Sequence, residues 1–220
     1  MKLNFSIKNT IYGLLLIFSS QLAILSKPAN ANQPESHVKS ILVFGDSLSA
    51  AYNIKTEQGW VSLLQDFLDQ QGHNIKVINA SISGETTSGG LERFAAQISR
   101  SKPDIVILEL GGNDGLRGFD LTTTRENLSK MIETSINHSS QVLLAGIKIP
   151  PNYGRTYTRR FEQIYTDLAK HEKVELIPFI LEKVATKSEL MQADGIHPNA
   201  KGQPLILSTV WQHLKPMLTE

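Results

Sequence analysis

Five short apolar runs, each separated from the next by a stretch patterned for a helix, constrain this chain more than any other feature. The runs are Ser40-Ile-Leu-Val-Phe44, Lys76-Val-Ile-Asn-Ala80, Asp104-Ile-Val-Ile-Leu108, Val142-Leu-Leu-Ala145 and Glu175-Leu-Ile177. Most are continuous in hydrophobicity rather than alternating, the pattern of strands covered on both faces. Between them, Trp60, Leu64, Phe67 and Leu68 fall on one helical face, with Gly72 as a left-handed stop. Leu91, Phe94, Ala95 and Ile98 repeat that spacing. Thr123 and Glu126 read as a capping box ahead of Leu128, Met131, Ile132 and Ile136. Phe161, Ile164, Tyr165 and Leu168 form the fourth stripe. Pro204 suits the first turn of a last helix carrying Leu205, Ile206, Val210, Trp211 and Leu214. Strands alternating with helices require right-handed crossovers, hence an α/β fold with a parallel sheet covered on both sides.

In such a sheet ligands gather at the carboxyl ends of the strands. The residues that follow the first three runs are Gly45-Asp-Ser47, Ser81-Ile-Ser-Gly84 and Gly111-Gly-Asn-Asp114, all polar or glycine-rich. Ser47 on that edge can present a hydroxyl, and a hydroxyl nucleophile needs an imidazole beside it and a carboxylate on the other ring nitrogen. The stretch Ala193-Asp-Gly-Ile-His-Pro-Asn199 supplies both in one tight loop, through Asp194 and His197. Pro198 disfavours helical geometry at His197, which fixes the direction in which the ring leaves the chain. Acyl transfer also needs donors aimed at the developing oxyanion. The Ser47 amide, the Gly84 amide and the Asn113 side chain are the candidates on this edge. Each residue has a plainer reading: Ser47 or Ser49 as a helix cap, Gly84 as a turn, Asn113-Asp-Gly115 as turn chemistry. Asp46 is read as a loop-fixing residue and not as the partner of the histidine, because neighbours on an extended segment point to opposite faces.

The amino-terminal stretch reads as a secretory signal: Lys2 and Lys8, an apolar run from Ile11 to Leu25, then Lys27-Pro-Ala-Asn-Ala31, with cleavage expected after Ala31. A membrane anchor is the alternative, but Ser19, Ser20 and Gln21 interrupt the run and leave it short of the ~20 residues a span needs. Residues 32–37 form a short polar lead, and 38–220 a single domain; 220 residues with 40% apolar content suit one sizeable core. Cleavage would remove three lysines and no acid, leaving 19 basic against 21 acidic residues, a formal balance of −2. That balance gives no global attraction to nucleic acid or to an anionic membrane, and leaves only local basic clusters. The absence of cysteine excludes disulfides, a thiol nucleophile, cysteine-ligated zinc and lipid attachment through a thiol. His37, His73, His138, His171 and His213 lack metal-ligand spacing and read as solvated. Arg117, Arg155, Arg159 and Arg160 read either as a solvated face or as a basic rim for phosphate headgroups.

Gly45-Asp-Ser-Leu48, Gly84, Gly111-Gly-Asn-Asp114 and Asp194-Gly-Ile-His-Pro198, in that order and spacing, resemble the SGNH, or GDSL, hydrolases. The resemblance spans essentially the whole of residues 38–220. It implies a three-layer α/β/α sandwich around a flavodoxin-like parallel five-stranded sheet. It also implies Ser47 as nucleophile, His197 as general base, Asp194 as its orienting acid, and Ser47, Gly84 and Asn113 as the oxyanion hole. Gly111 to Phe119 correspond to a mobile loop beside an acyl groove that Leu116, Ile149 and Pro150 would line. Ile149 stands where the family carries leucine, and Ala51 where close relatives carry glycine.

The function expected on these grounds is hydrolysis of acyl esters and thioesters, among them lysophospholipids, aryl esters and acyl-coenzyme A, through an acyl-serine. No cofactor or metal is called for. The expected enzyme is a periplasmic monomer with small-molecule substrates, no nucleic-acid partner, and transient contact with membrane lipids. A carbohydrate or peptidoglycan O-deacetylase is the alternative within enzymes, and a non-enzymatic periplasmic binding module the alternative outside them.

Overall fold

A computed structural model of the chain describes residues 38–218. The expected signal segment, residues 1–31, and the polar lead, 32–37, lie outside the described residues. Eleven regular elements follow in order: β1 Lys39–Gly45, α1 Trp60–Gln70, β2 Ile75–Asn79, α2 Thr87–Ser101, β3 Ile105–Glu109, α3 Gly112–Arg117, α4 Leu121–Asn137, β4 Gln141–Ala145, α5 Arg155–Glu172, β5 Glu175–Ile177 and α6 Gln203–Met217. Short 3-10 turns at Thr56–Gln58, Pro151–Tyr153 and Ser188–Leu190 interrupt three of the connections.

All strand pairs are parallel and their order is β2-β1-β3-β4-β5, the flavodoxin-like arrangement. The two-residue repeat of a strand divides its side chains between two cores. Ile41, Val43, Ile105, Ile107, Leu143 and Ala145 pack with α1 and α6. Leu42, Phe44, Val106, Leu108, Val142 and Leu144 pack with α2, α4 and α5. That accounts for the continuous runs in β1, β3 and β4. The sheet edges depart from the expectation: only Ile75 is buried in β2, and only Ile177 in β5, because an edge strand has a neighbour on one side alone.

The helical stripes hold with local exceptions. Gly72 ends α1 at φ +75°, as expected. Ala95 is exposed and Ile136 is 44% exposed, so neither belongs to its stripe. Thr123 is not a cap: α4 begins three residues earlier, and the Asp120 carboxylate accepts from the Thr123 amide at 2.8 Å. The aspartate, one turn upstream, serves the free amides of a helix that begins at Leu121, and does so with a charge. Among the described residues, no helix is long and apolar enough to cross a membrane.

The chain runs outward from β1 to β2, then crosses back to β3 on the other side. Between the carboxyl ends of β1 and β3 it therefore opens a crevice. Gly45-Asp-Ser47 leaves β1 there and Leu110-Gly-Gly-Asn113 leaves β3.

Candidate active site

The chain does not continue as a helix or a strand after β1. It coils through turns from Ser47 to Asn53, with Ala50 N–H donating to the Asp46 carbonyl at 2.9 Å. Ala51 and Asn53 both take the left-handed conformation at φ +57°. Ser47 therefore caps no regular helix, and its side chain is free for other partners. Ala51, where close relatives are expected to have glycine, holds a tight turn that an alanine enters only at a cost.

His197 comes from the far end of the sequence. Its loop is closed like a hairpin: Met191 and Pro198 form an antiparallel bridge, the Gln192 amide donates to the His197 carbonyl at 2.7 Å, and the Asn199 amide to Leu190 at 2.8 Å. Within that loop the Asp194 carboxylate accepts from the Ile196 and His197 amides at 2.9 and 3.0 Å through Oδ1. Its Oδ2 lies 2.7 Å from His197 Nδ1. His197 Nε2 lies 2.9 Å from Ser47 Oγ, across 150 residues of sequence. A carboxylate on Nδ1 fixes the proton there and leaves Nε2 as an acceptor, so the Ser47 hydroxyl donates to the ring. Partial burial pushes the Asp194 carboxyl upward, but the two amides and the imidazole outweigh it and hold the group at about 2. Asp194 is thus ionised wherever a neutral histidine exists.

Asp46 is 2% exposed and touches this chain of bonds only through a long contact, Ser47 Oγ to its Oδ1 at 3.5 Å. Its Oδ1 accepts from the Leu48 amide at 3.1 Å and its Oδ2 from Asn113 Nδ2 at 3.2 Å, so it fixes the loop as expected. The expected reason does not hold, because the segment is coiled and not extended. What separates Asp46 from the histidine's Nδ1 is the seat that Asp194 already occupies.

The three expected oxyanion donors differ in readiness. Among the described residues, neither the Ser47 nor the Gly84 amide has a protein acceptor. Asn113 Nδ2 donates to both Asp46 Oδ2 and the Glu85 carbonyl, at 3.2 and 2.9 Å, and must release one to serve a third acceptor. The longer bond, to Asp46, is the cheaper to release. Asn113 sits in α3 and not in a turn or a loop. Gly111 starts that helix at φ +113°, and a Cβ there would meet the Tyr165 hydroxyl at 2.5 Å, so only glycine lets the chain turn in so close. Buried Asp114 anchors α3 to the start of α2 through the Thr87 amide and hydroxyl. The loop carrying Gly84 is pinned on both sides, by Ile82 N–H to the Gly45 carbonyl at 3.1 Å and by Arg117 Nη2 to the Gly84 carbonyl at 3.2 Å.

A cavity of about 650 Å³ opens beside Ser47 and His197. Leu116, Ile149 and Pro150 line it as expected, joined by Leu48, Ile147, Phe179, Leu181 and Met191. Ile149 is 6% exposed, so its branched side chain is a fixed part of the wall.

Three contributors were not singled out from the sequence. Tyr52 packs on the His197 ring at 4.5 Å between centroids. Gln192 straps the two halves of the site together: Nε2 donates to the Tyr52 and Pro198 carbonyls at 2.9 and 3.0 Å, and Oε1 accepts from Asn53 Nδ2 at 3.1 Å. Glu109 lies fully buried beneath the Ser47 loop, its Oε2 accepting from Ser49 Oγ at 2.7 Å and from the Asp46 amide at 3.3 Å, its Oε1 unpartnered. A charge inside the apolar stretch Ile105 to Leu110 was the signal that could have found it. Burial, then the neighbouring Asp46, pushes the Glu109 carboxyl well above its ordinary range. Burial likewise pushes Asp46 up to about 6, against the Leu48 amide, His197, Asn113 and Ser47. Asp46 takes donors on both carboxylate oxygens and Glu109 on one alone, so Glu109 keeps the proton of the pair.

A carboxyl whose folded pKa exceeds its unfolded value stabilises the fold in acid, and that stability is lost as pH rises through the folded value. Glu109→Gln is therefore expected to flatten the decline in melting temperature between about pH 5 and pH 8 and to melt above the parent at pH 8. Thermal melts at both pH values check it; a variant that melts lower at pH 8 would mean that Glu109 is held as an ion.

Residues 43–205 match the GDSL-like lipase/acylhydrolase family. The chain is 45% identical over 206 residues to Esterase TesA of Pseudomonas aeruginosa, covering 94% of this chain and 99% of that one. It is 41% identical over 179 residues to thioesterase 1/protease 1/lysophospholipase L1 of Escherichia coli K12, covering 81% and 85%. The crystal structure of the psychrotrophic esterase EstA from Pseudoalteromonas, inhibited by monoethylphosphonate, superposes with a TM-score of 0.79 at 42% identity, over 83% of this chain and all of that one.

Proposed function

The chain belongs to the GDSL-like lipase/acylhydrolase family, and from that premise we propose that this carboxylic ester hydrolase works through an acyl-serine formed on Ser47. The observation that carries the reading is the bonded series Ser47, His197, Asp194 at the mouth of an apolar cavity. His197 takes the Ser47 proton as Oγ attacks the carbonyl carbon, and Asp194 stabilises the imidazolium so formed. The amides of Ser47 and Gly84, with the Asn113 side chain, receive the oxyanion. His197 then protonates the departing alcohol or thiol. Water attacks the acyl-serine with the same base, and the free acid leaves. An imidazolium cannot accept the serine proton, so turnover falls in acid.

The substrate class follows from the cavity and from the relatives. Leu48, Leu116, Ile147, Ile149, Leu181 and Met191 give the cavity a largely aliphatic wall, which suits a medium or long acyl chain. The Escherichia coli relative is a thioesterase and lysophospholipase by name. The amino-terminal segment reads as an export signal, and coenzyme A thioesters are largely cytosolic, so lysophospholipids and other membrane-derived esters in the periplasm are the substrates we assign, with aryl esters and thioesters cleaved when supplied. The enzyme acts as a monomer on this reading.

A series of p-nitrophenyl esters tests the acyl groove. With about 0.8 kcal/mol available per buried methylene, kcat/KM is expected to rise up to roughly four-fold per added carbon from acetyl towards octanoyl, then level off as the groove fills. Strong preference for acetyl would move the assignment to an O-deacetylase.

A further inference from the structure

We infer that the strand-end face around the cavity mouth docks on an anionic lipid bilayer, an interaction that goes beyond the hydrolytic reading and does not depend on Ser47 being the nucleophile. Seven large apolar side chains are well exposed among the described residues. Two, Val38 and Ile136, lie at the amino-terminal end of the strands, before β1 and at the end of α4. The other five, Tyr52, Ile82, Phe119, Tyr153 and Ile196, are between 38 and 50% exposed and all lie at the carboxyl ends of the strands.

Hydrogen bonds and ring contacts place these five around one opening. Tyr52 stacks on His197, and Ile196 precedes it in the loop that lines the cavity. The loop of Ile82 to Gly84 is tied to α3 through Arg117. Phe119 follows α3, its amide donating to the Asp114 carbonyl at 3.0 Å. The Tyr153 hydroxyl donates to the Leu116 carbonyl at 3.0 Å. An apolar ring of this kind on one end of a sandwich is a surface built to meet something apolar.

Charge selects the occupant. On the α4 and α5 side of the mouth three acids are engaged locally: Glu162 with Lys148 at 3.5 Å, Glu85 with Arg93 at 2.7 Å, and Asp120 with the start of α4. Arg117, Arg155 and Arg159 are exposed there and have no ion pair among the described residues. Arg155 and Arg159 line a second hollow that shares Thr158 and Glu162 with the wall of the cavity. The acids Glu57 and Glu189 lie on the α1 and α6 side, in the 3-10 turns that precede those helices. Apolar side chains that enter the acyl boundary, flanked by unpaired cations at headgroup level, are the chemistry of an anionic membrane surface and not of a second protein's dry core. In that pose the cavity opens onto lipid, and an acyl chain reaches Ser47 without crossing water.

Co-sedimentation of the full chain with vesicles of phosphatidylcholine containing phosphatidylglycerol tests this. The parent is expected to partition onto these vesicles more strongly than onto pure phosphatidylcholine, and less strongly as salt rises. Replacing both Arg155→Gln and Arg159→Gln is expected to weaken partition by roughly five-fold per arginine, near twenty-five-fold together. Ile82→Ser with Phe119→Ser is expected to weaken it on the order of ten-fold, while Ile136→Ser, at the other end of the molecule, leaves it unchanged. Turnover of a water-soluble acetyl ester stays at the parent level in the Arg155→Gln with Arg159→Gln variant and in Ile136→Ser. Equal partition of the parent and the face variants, or an equal loss in Ile136→Ser, overturns the proposal and assigns any binding to another part of the chain.

Discussion

Ser47→Ala is expected to lower kcat by roughly six orders of magnitude, to the floor of an ester assay, and to abolish labelling by a fluorophosphonate. The size follows from what the hydroxyl does alone. Its oxygen is the atom that bonds the acyl carbon, and no neighbour can stand in: Ser49 Oγ is 1% exposed and already donates to Glu109 at 2.7 Å. Whatever activity remains comes from the amides of residue 47 and Gly84, which the substitution leaves in place. The fold is expected to survive, with a stability change within about 0.5 kcal/mol. Ser47 is only half-buried, and its one close partner, His197 Nε2, can accept from water instead. A folded alanine variant that still takes the label would remove Ser47 from the chemistry and shift attention to another hydroxyl on the same edge.

Those two residues also show how much of the molecule was legible in the sequence. β1, β3 and β4 were legible because burial on both faces writes an unbroken apolar run, and the edge strands less so because their exposed residues break it. The meeting of Ser47 with His197 was legible because each sits in a short glycine-bearing block with few other uses. Ser49 was readable only as a cap, since nothing local shows that Glu109 lies beneath it. Gln192 carried no signal at all: an amide beside a motif is ordinary, and its three partners come from residues 52, 53 and 198 only once the fold is closed. Asp120 was missed for a different reason. Thr123 offered a complete local pattern, and the choice between two caps one turn apart rests on where α3 ends, at Arg117 before the left-handed Gly118.

Asp194→Asn is expected to cost about four orders of magnitude in kcat with the loop still closed, whereas Asp46→Asn is expected to cost about one. The asymmetry is one of tautomers. In the parent, Asp194 accepts at both oxygens, two backbone amides on one and His197 Nδ1 on the other. An asparagine keeps its oxygen on the amides and turns its NH2 to the ring. Nδ1 must then accept, the ring proton moves to Nε2, and the base that faced Ser47 becomes a donor. The Asp194 charge cannot be switched by ordinary acidity either, because the carboxyl is held at about 2. Its stabilising contribution is present above the unfolded value and is lost only as pH falls towards the folded one. Asp46 answers to other partners, the Leu48 amide and Asn113 Nδ2. An asparagine there keeps the first and sets two NH2 groups against each other at the second. That disturbs one oxyanion donor while His197 keeps its tautomer. Steady-state kinetics of the two variants side by side decide between the carboxylates: a larger loss in Asp46→Asn than in Asp194→Asn would hand the orienting role to Asp46.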